Sequence, residues 1–349
     1  MDRAVSQAAD VEMPAEFEPR KLVKRTLQIA AVLAVAGLIL LLAPGLGQVR
    51  HVLTEARPEW VALALVLEAL SCASYVVMFR PVFCRNMPWR TSWEIGLAEL
   101  GAGAIVPASG AAGLAFGAWI LREGGMPAEQ IARRSVAFFL TTRSVNFVAV
   151  AGVGTVMAIG LAGPDTSLWL TAAPAVGASL VIAAVLLVPR FGVGRPAPAD
   201  AGRMRRALHE VRKALVGGTA EAVGILRSRN VSVIAGSIGY WAFDNAVLWA
   251  TFRAFGVVLP LTIVLMGYLI GQLGGLLPLP GGVGGIDGGL IGTFVVFGAP
   301  AAATAAAVLA YRVILFWLPL LGGAVAFASL RRELADPERP DLCAPRIAA

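Results

Sequence analysis

Charge is scarce in this chain. Asp, Glu, Lys and Arg make up 15% of 349 residues, against roughly 25% in soluble domains, which excludes a large water-facing surface. Residues 26–49, 166–189, 254–286 and 288–311 contain no Asp, Glu, Lys, Arg or His at all. About 20 apolar residues cross a bilayer, so the chain reads as an all-α polytopic membrane protein. The first of these segments is too long for a signal peptide, and further spans follow it. Cysteine and histidine are also rare. Cys72, Cys84 and Cys343 are scattered and His51 lies far from His209, so no metal-ligand spacing, disulfide framework or cofactor motif is visible. A net charge of +7 raises nucleic acid as a partner, but no aromatic-basic surface domain exists to use it.

The basic residues punctuate the apolar segments, where they set membrane orientation and meet anionic lipid. A tail over 1–25 ends in Arg20, Lys21, Lys24 and Arg25, which places the N-terminus in the cytoplasm. A first half over 26–189 then holds spans from Thr26 to about Gly47, Trp60 to Phe79, Ser135 to about Gly163 and Ser167 to Pro189. Between the second and third lies 93–121, interrupted by Gly101, Gly103, Pro107, Gly110 and Gly113. Its arms are roughly 13 residues, about 20 Å of helix, too short to cross, and a re-entrant hairpin fits. The loop over 190–230 is the most basic in the chain. Met204, Leu208, Val211 and Leu215 form a helical stripe there, flanked by Arg205, Arg206, Arg212 and Lys213. A helix on the inner leaflet and a solvated connector are both open readings. The second half, 231–332, holds spans Val231–Ala254 and about Ala301–Leu330 around a broken segment at 260–298, a hairpin or two short spans. That makes about six full spans and two broken hairpins, some eight hydrophobic segments. The tail over 333–349 is cytoplasmic.

The two broken segments align. At one constant offset Gly103, Pro107, Gly110, Gly113 and Gly117 fall on Gly274, Pro278, Gly281, Gly284 and Gly288. Pro107, Gly110 and Gly113 in one hairpin, and Pro278, Pro280, Gly281, Gly282 and Gly284 in the other, break helix. Unwound backbone at membrane depth must line a cavity or be covered by protein. Two inverted halves with interrupted helices form a transporter architecture. The pairs Gly113-x-x-x-Gly117 and Gly284-x-x-x-Gly288 also read simply as close helix contacts.

Glu68, Glu99, Arg143, Asp244, Asp287 and Arg312 sit within apolar segments. Each costs roughly 2.5–3.5 kcal/mol near the bilayer centre on insertion scales. Arg143 and Arg312 could neutralise acidic neighbours, or bind a phosphate-bearing headgroup through the guanidinium fork. Asp244, Asp287 and Glu99 are the expected switching partners, and Gln272, Ser109 and Asn146 could add neutral hydrogen bonds.

Leu277-Pro-Leu-Pro-Gly-Gly-Val-Gly-Gly-Ile-Asp287, Gly298-Ala-Pro, and Tyr311-Arg-Val-Ile-Leu-Phe-Trp-Leu-Pro319 with Gly322 resemble the C-terminal signature of the flippase-like, lysylphosphatidylglycerol synthase transmembrane family. Val106-Pro-Ala-Ser-Gly-Ala-Ala-Gly113, Leu121-Arg-Glu-Gly-Gly-Met-Pro127 and Tyr240-Trp-Ala-Phe-Asp244 are similar to its other landmarks, over about residues 25–332. The resemblance implies an integral membrane domain that moves a lipid between leaflets. Asp287 stands where the family usually carries Glu, and the first hairpin lacks the Gly-Asp followed by Arg of many members. No length is left before Ala349 for the aminoacyl transferase domain of bifunctional members, so lipid synthesis is not expected. The expected function is translocation of an anionic phospholipid or lipid-linked phosphate, by a protein that is not an enzyme and needs no cofactor or metal. A carrier of a small soluble anion and a non-transporting scaffold for envelope assembly are the alternatives. Oligomeric state is not legible.

Overall fold

The computed structural model describes residues 55–105, 111–161, 167–194, 202–272 and 285–334, together with Val23, Lys24 and Leu27. The described residues form ten α-helices and no strand. In order they are α1 (Pro58–Phe83), α2 (Trp89–Ile105), α3 (Ala111–Glu123), α4 (Ala128–Ala158), α5 (Leu168–Leu187), α6 (Arg203–Arg227), α7 (Val231–Ala254), α8 (Leu261–Gln272), α9 (Gly285–Val296) and α10 (Ala301–Leu334). Five are long and apolar enough to span a membrane: α1, α4, α5 with its 3-10 extension to Phe191, α7 and α10. The span expected at 26–47 lies outside the described residues. So do Pro107, Gly110, Pro278, Pro280, Gly281, Gly282 and Gly284.

Long, short, short, long is the pattern of α1–α4, and it recurs in α7–α10. The equivalent helices α1 and α7 pack antiparallel. The Arg57 amide before α1 donates to Ala254 O at the end of α7, 2.9 Å, and Ser71 Oγ donates to Tyr240 O at 3.2 Å further in. A side chain added at Gly236 would meet Ser74 O at 2.8 Å, so a bare backbone is what lets the two helices touch. Antiparallel packing of equivalent helices is the arrangement of inverted halves.

Two apolar cores lie toward opposite ends of α1 and α10. One gathers Phe79, Phe83, Phe116, Ile120, Phe138 and Leu330; its rings stack at 4.5 Å (Phe79–Phe83) and meet edge-on at 5.6 Å (Phe79–Phe138). The other gathers Ala64, Leu248, Phe252, Leu290, Phe294 and Tyr311, with Phe252 edge-on to Phe294 at 4.7 Å. Tryptophans mark the ends of α1. Arg253 lies over Trp60 and Trp249 at one end, and Arg80 lies over Trp89 at the other. From Trp60 to Arg80 a helix rises about 30 Å, the thickness of the hydrocarbon core, and amphipathic rings with arginines favour that boundary.

Several boundaries differ from the sequence expectation. Helix α4 begins at Ala128 rather than Ser135, because Glu129, Arg133 and Arg134 are good helix formers whose charges are paired. Glu221 on α6 meets Arg133 at 2.8 Å and Arg134 at 3.7 Å, and Lys213 meets Glu129 at 2.9 Å. The basic region 190–230 is mostly the 25-residue helix α6. The first hairpin has unequal arms of 17 and 13 residues. In the second hairpin both arms have 12 residues, about 18 Å each and short of the hydrocarbon thickness. Cys84 is disulfide-bonded, which the scatter of three cysteines did not suggest.

Candidate functional site

A cavity of about 220 Å³ opens where the two halves meet. Glu68, Cys72 and Tyr75 of α1, Glu99 and Gly103 of α2, Gly113 of α3, Phe139 and Arg143 of α4, Tyr240 and Asp244 of α7, Ile286 of α9 and Arg312 of α10 all reach it. Thus four of the charged residues expected from sequence, Arg143, Arg312, Asp244 and Glu99, converge on one space. Each is carried by a different helix.

Why the site forms there follows from the small residues around it. A side chain at Gly113 would meet Glu99 O at 2.6 Å, and one at Gly117 would meet the Glu99 carboxylate at 2.3 Å. The first glycine pair therefore serves close packing of α3 on α2 and wraps backbone around Glu99. Its partner pair behaves differently, since Gly288 faces open space. In that hairpin Gly271 and Gly289 make the contact instead, 2.8 Å from a Cβ at Gly289 to Gly271 O. Pro319, inside α10 and lining the cavity, cannot donate to the carbonyl of Leu315, another lining residue.

The charged groups are held in unequal ways. Arg312 Nε pairs with Asp287 Oδ1 at 2.8 Å, with about a fifth of each side chain exposed. Arg143 lies 5.8 Å from the Phe139 ring centroid, and no carboxylate of the described residues is within ion-pairing distance of it. Asp244 is held by tyrosines rather than by an arginine: Tyr268 donates at 2.5 Å and Tyr311 at 2.8 Å. Glu99, almost fully buried, accepts from Tyr75 at 2.6 Å through Oε1. Among the described residues its Oε2 has no hydrogen-bond partner, and neither has Oε2 of Glu68, whose Oε1 accepts from Cys72 Sγ at 3.6 Å. Asn146 sits one turn beyond Arg143 with a buried Oδ1 that has no partner. It does not line the cavity. Ser109 and the side chain of Gln272 lie outside the described residues, and Asp287 reaches the site through Arg312. No group of three or more potential metal ligands converges among the described residues.

Sequence reasoning missed the tyrosines. The chain has four, and all four serve this cluster: Tyr75 and Tyr240 line the cavity, with ring centroids 5.2 Å apart, and Tyr268 and Tyr311 hold Asp244. An internal register could have found them. Ser71 and Tyr240, which touch across α1 and α7, are 169 residues apart. The same separation relates Arg143 to Arg312, Tyr75 to Asp244 and Glu99 to Tyr268. The Tyr75–Glu99 and Tyr268–Asp244 bonds each span 24 residues, so the two halves make the same bond with donor and acceptor exchanged. The glycine alignment runs two residues out of this register, which is why it did not point to these side chains.

Comparison with known proteins agrees with this architecture. The chain is 26% identical over 336 residues to a UPF0104 membrane protein of Methanothermobacter thermautotrophicus, covering 88% of this chain and 97% of that protein. It is 28% identical over 339 residues to a further UPF0104 membrane protein of the same organism, covering 87% and 93%. Residues 28–323 match the lysylphosphatidylglycerol synthase TM region. With most of its length inside that match, this multi-pass chain belongs to the lysylphosphatidylglycerol synthase transmembrane-region family.

Proposed function

We propose that the protein translocates a phosphate-bearing lipid between leaflets, acting as a flippase-like transporter rather than as an enzyme. The observation that carries this reading is Arg143, which is placed in a cavity between two inverted halves without a carboxylate partner among the described residues, whereas its repeat mate Arg312 is paired. A guanidinium at membrane depth needs an anion, and its planar fork matches phosphate oxygens. The unpartnered oxygens of Glu99 and Glu68 accept hydrogen bonds from hydroxyl or amine groups of the same headgroup. Exchange of carboxylate for phosphate at the arginines, as one half rocks against the other, gives alternating access. The hairpins then act as re-entrant elements.

Orientation follows from charge. Arg80, Arg85, Arg90, Arg122, Arg133, Arg134, Arg331 and Arg332 gather at one end of the helices, whereas Arg57 and Arg253 lie at the other. By the positive-inside rule the first end is cytoplasmic in a bacterial plasma membrane, and both termini with it.

The cavity volume favours one competing reading. At about 220 Å³ the space is smaller than the roughly 300–1,000 Å³ of drug-sized pockets. It holds a headgroup with acyl chains outside, or a small soluble anion whole. Fluorescent-lipid scrambling by purified protein in liposomes separates them. Faster translocation of an anionic than of a neutral lipid, lost in Arg143→Ala at equal reconstitution, is the expected result. No translocation of any lipid by folded protein, with uptake of radiolabelled phosphate instead, overturns it in favour of the soluble anion.

A further inference from the structure

The amphipathic face of α6 has no part in the transport reading. Met204, Leu208, Val211 and Leu215 recur at intervals of four, three and four, so they share one side of the helix. They are 74, 61, 56 and 49% exposed. The half of α6 that follows is docked. Glu221 pairs with Arg133 and Arg134, Ala222 is buried, Ile225 packs on the first apolar core, and a side chain at Gly218 would strike Val136 at 2.5 Å. One half of a continuous helix is thus fixed against α4, and the other presents a bare apolar stripe.

A second observation fixes the depth of that stripe. Arg212 donates from Nε to Gly192 O at 3.3 Å and from Nη2 to Phe191 O at 3.2 Å. Phe191 is the last residue of the membrane-spanning segment Leu168–Phe191 and is itself 73% exposed. At about 36 Å the segment slightly exceeds the hydrocarbon core, so its end sits among lipid headgroups. The bond from Arg212 holds Leu208, Val211 and Leu215, all within a turn of it, at that same level. Arg205 is exposed beside the stripe and Arg212, two turns on, shares its edge. Lys213 lies on the far face, where the carboxylate of Glu129 keeps it protonated to higher pH than usual.

We propose that the N-terminal half of α6 is a surface-binding element for an anionic phospholipid leaflet. Its apolar stripe inserts at the boundary of headgroups and acyl chains, and Arg205 and Arg212 on its edge engage lipid phosphates. Apolar insertion combined with basic flanks is the pattern by which helices select anionic bilayers, and charge complementarity fixes the occupant as anionic lipid rather than another protein face.

The test uses the full chain carrying Leu208→Cys, labelled with an environment-sensitive fluorophore and reconstituted in nanodiscs. Unsubstituted protein labelled in parallel sets the background; Cys72 is buried and Cys84 is disulfide-bonded. In discs containing phosphatidylglycerol the emission should shift to the blue and be quenched by nitroxide-labelled lipid. Both effects should be lost in phosphatidylcholine discs and in Arg205→Glu protein. A label at Glu210→Cys, on the opposite side of the helix, should stay open to iodide throughout. Three results would overturn the proposal. Iodide access at position 208 in both lipids means a solvated connector, and equal nitroxide quenching in both means apolar contact without charge selection. Shielding from both quenchers means that protein covers the stripe, whether the N-terminal tail or a second copy. Each readout is independent of lipid translocation, so its failure leaves the transport proposal standing.

Discussion

The two arginines are chemically identical and equivalent by register, yet their surroundings differ, and their removal should have different consequences. Arg312→Ala removes the 2.8 Å ion pair with Asp287. Losing one member of a partly buried pair costs about 1–3 kcal/mol, between the surface and fully buried limits. Adding Asp287→Asn should restore most of that, in a double-mutant cycle read by thermal unfolding in detergent. Arg143→Ala removes no ion pair among the described residues and should leave the unfolding temperature nearly unchanged while abolishing translocation. A large loss of stability in Arg143→Ala would mean that its role is structural. These arginines, with Glu99 and Asp244, were legible because a charge within an apolar run is costly and therefore conspicuous. Tyr75, Tyr240, Tyr268 and Tyr311 were not, since a tyrosine in an apolar helix is ordinary; the hydroxyls of Tyr75, Tyr268 and Tyr311 are seen to serve the site only once the helices are packed.

At the scale of elements, close approach of backbones governs what changes are tolerated. Gly323 of α10 lies against α2, where an added Cβ would sit 2.6 Å from Leu97 O and 2.8 Å from Gly101 Cα. Backbone cannot yield as a flexible side chain can, and in membranes small residues are what permit such crossings. Gly323→Ala should therefore force α2 and α10 apart, lower the unfolding temperature and impair translocation, because Glu99 rides on α2 and Arg312 on α10. Gly288→Ala, with nothing within 4 Å of the new methyl, should leave both unchanged. Equal behaviour of the two variants in thermal unfolding and scrambling would show that this crossing does not position the site. The short helices were legible in advance from their Gly and Pro breaks, as was the α6 stripe from its spacing. The boundaries were not: α4 gained turns at its start from polar residues whose ion-pair partners on α6 are some 80 residues away in sequence, and hydropathy along one segment carries no information about them.

For the whole molecule, the inverted halves impose a parity that topology labelling can check. Helix α7 enters from the connection after α6, where Ser228 is exposed, and leaves at the connection before α8, where Val258 is exposed. Leu161, exposed just beyond α4, shares the side of Val258, because α4 starts beside α6 and runs the same way as α7. With the basic end cytoplasmic, cysteines introduced at Leu161 and Val258 should react with a membrane-impermeant maleimide on intact cells, and one at Ser228 only after the membrane is opened. The reverse pattern would keep the fold and invert the direction of transport. Labelling of Ser228 and Val258 from the same side would mean that α7 does not cross, and the antiparallel match of α1 with α7 would then no longer describe two inverted halves. That outcome would also remove the reason for Arg143 and Arg312 to face one cavity from opposite repeats. The transport reading therefore depends on this parity as much as on either arginine.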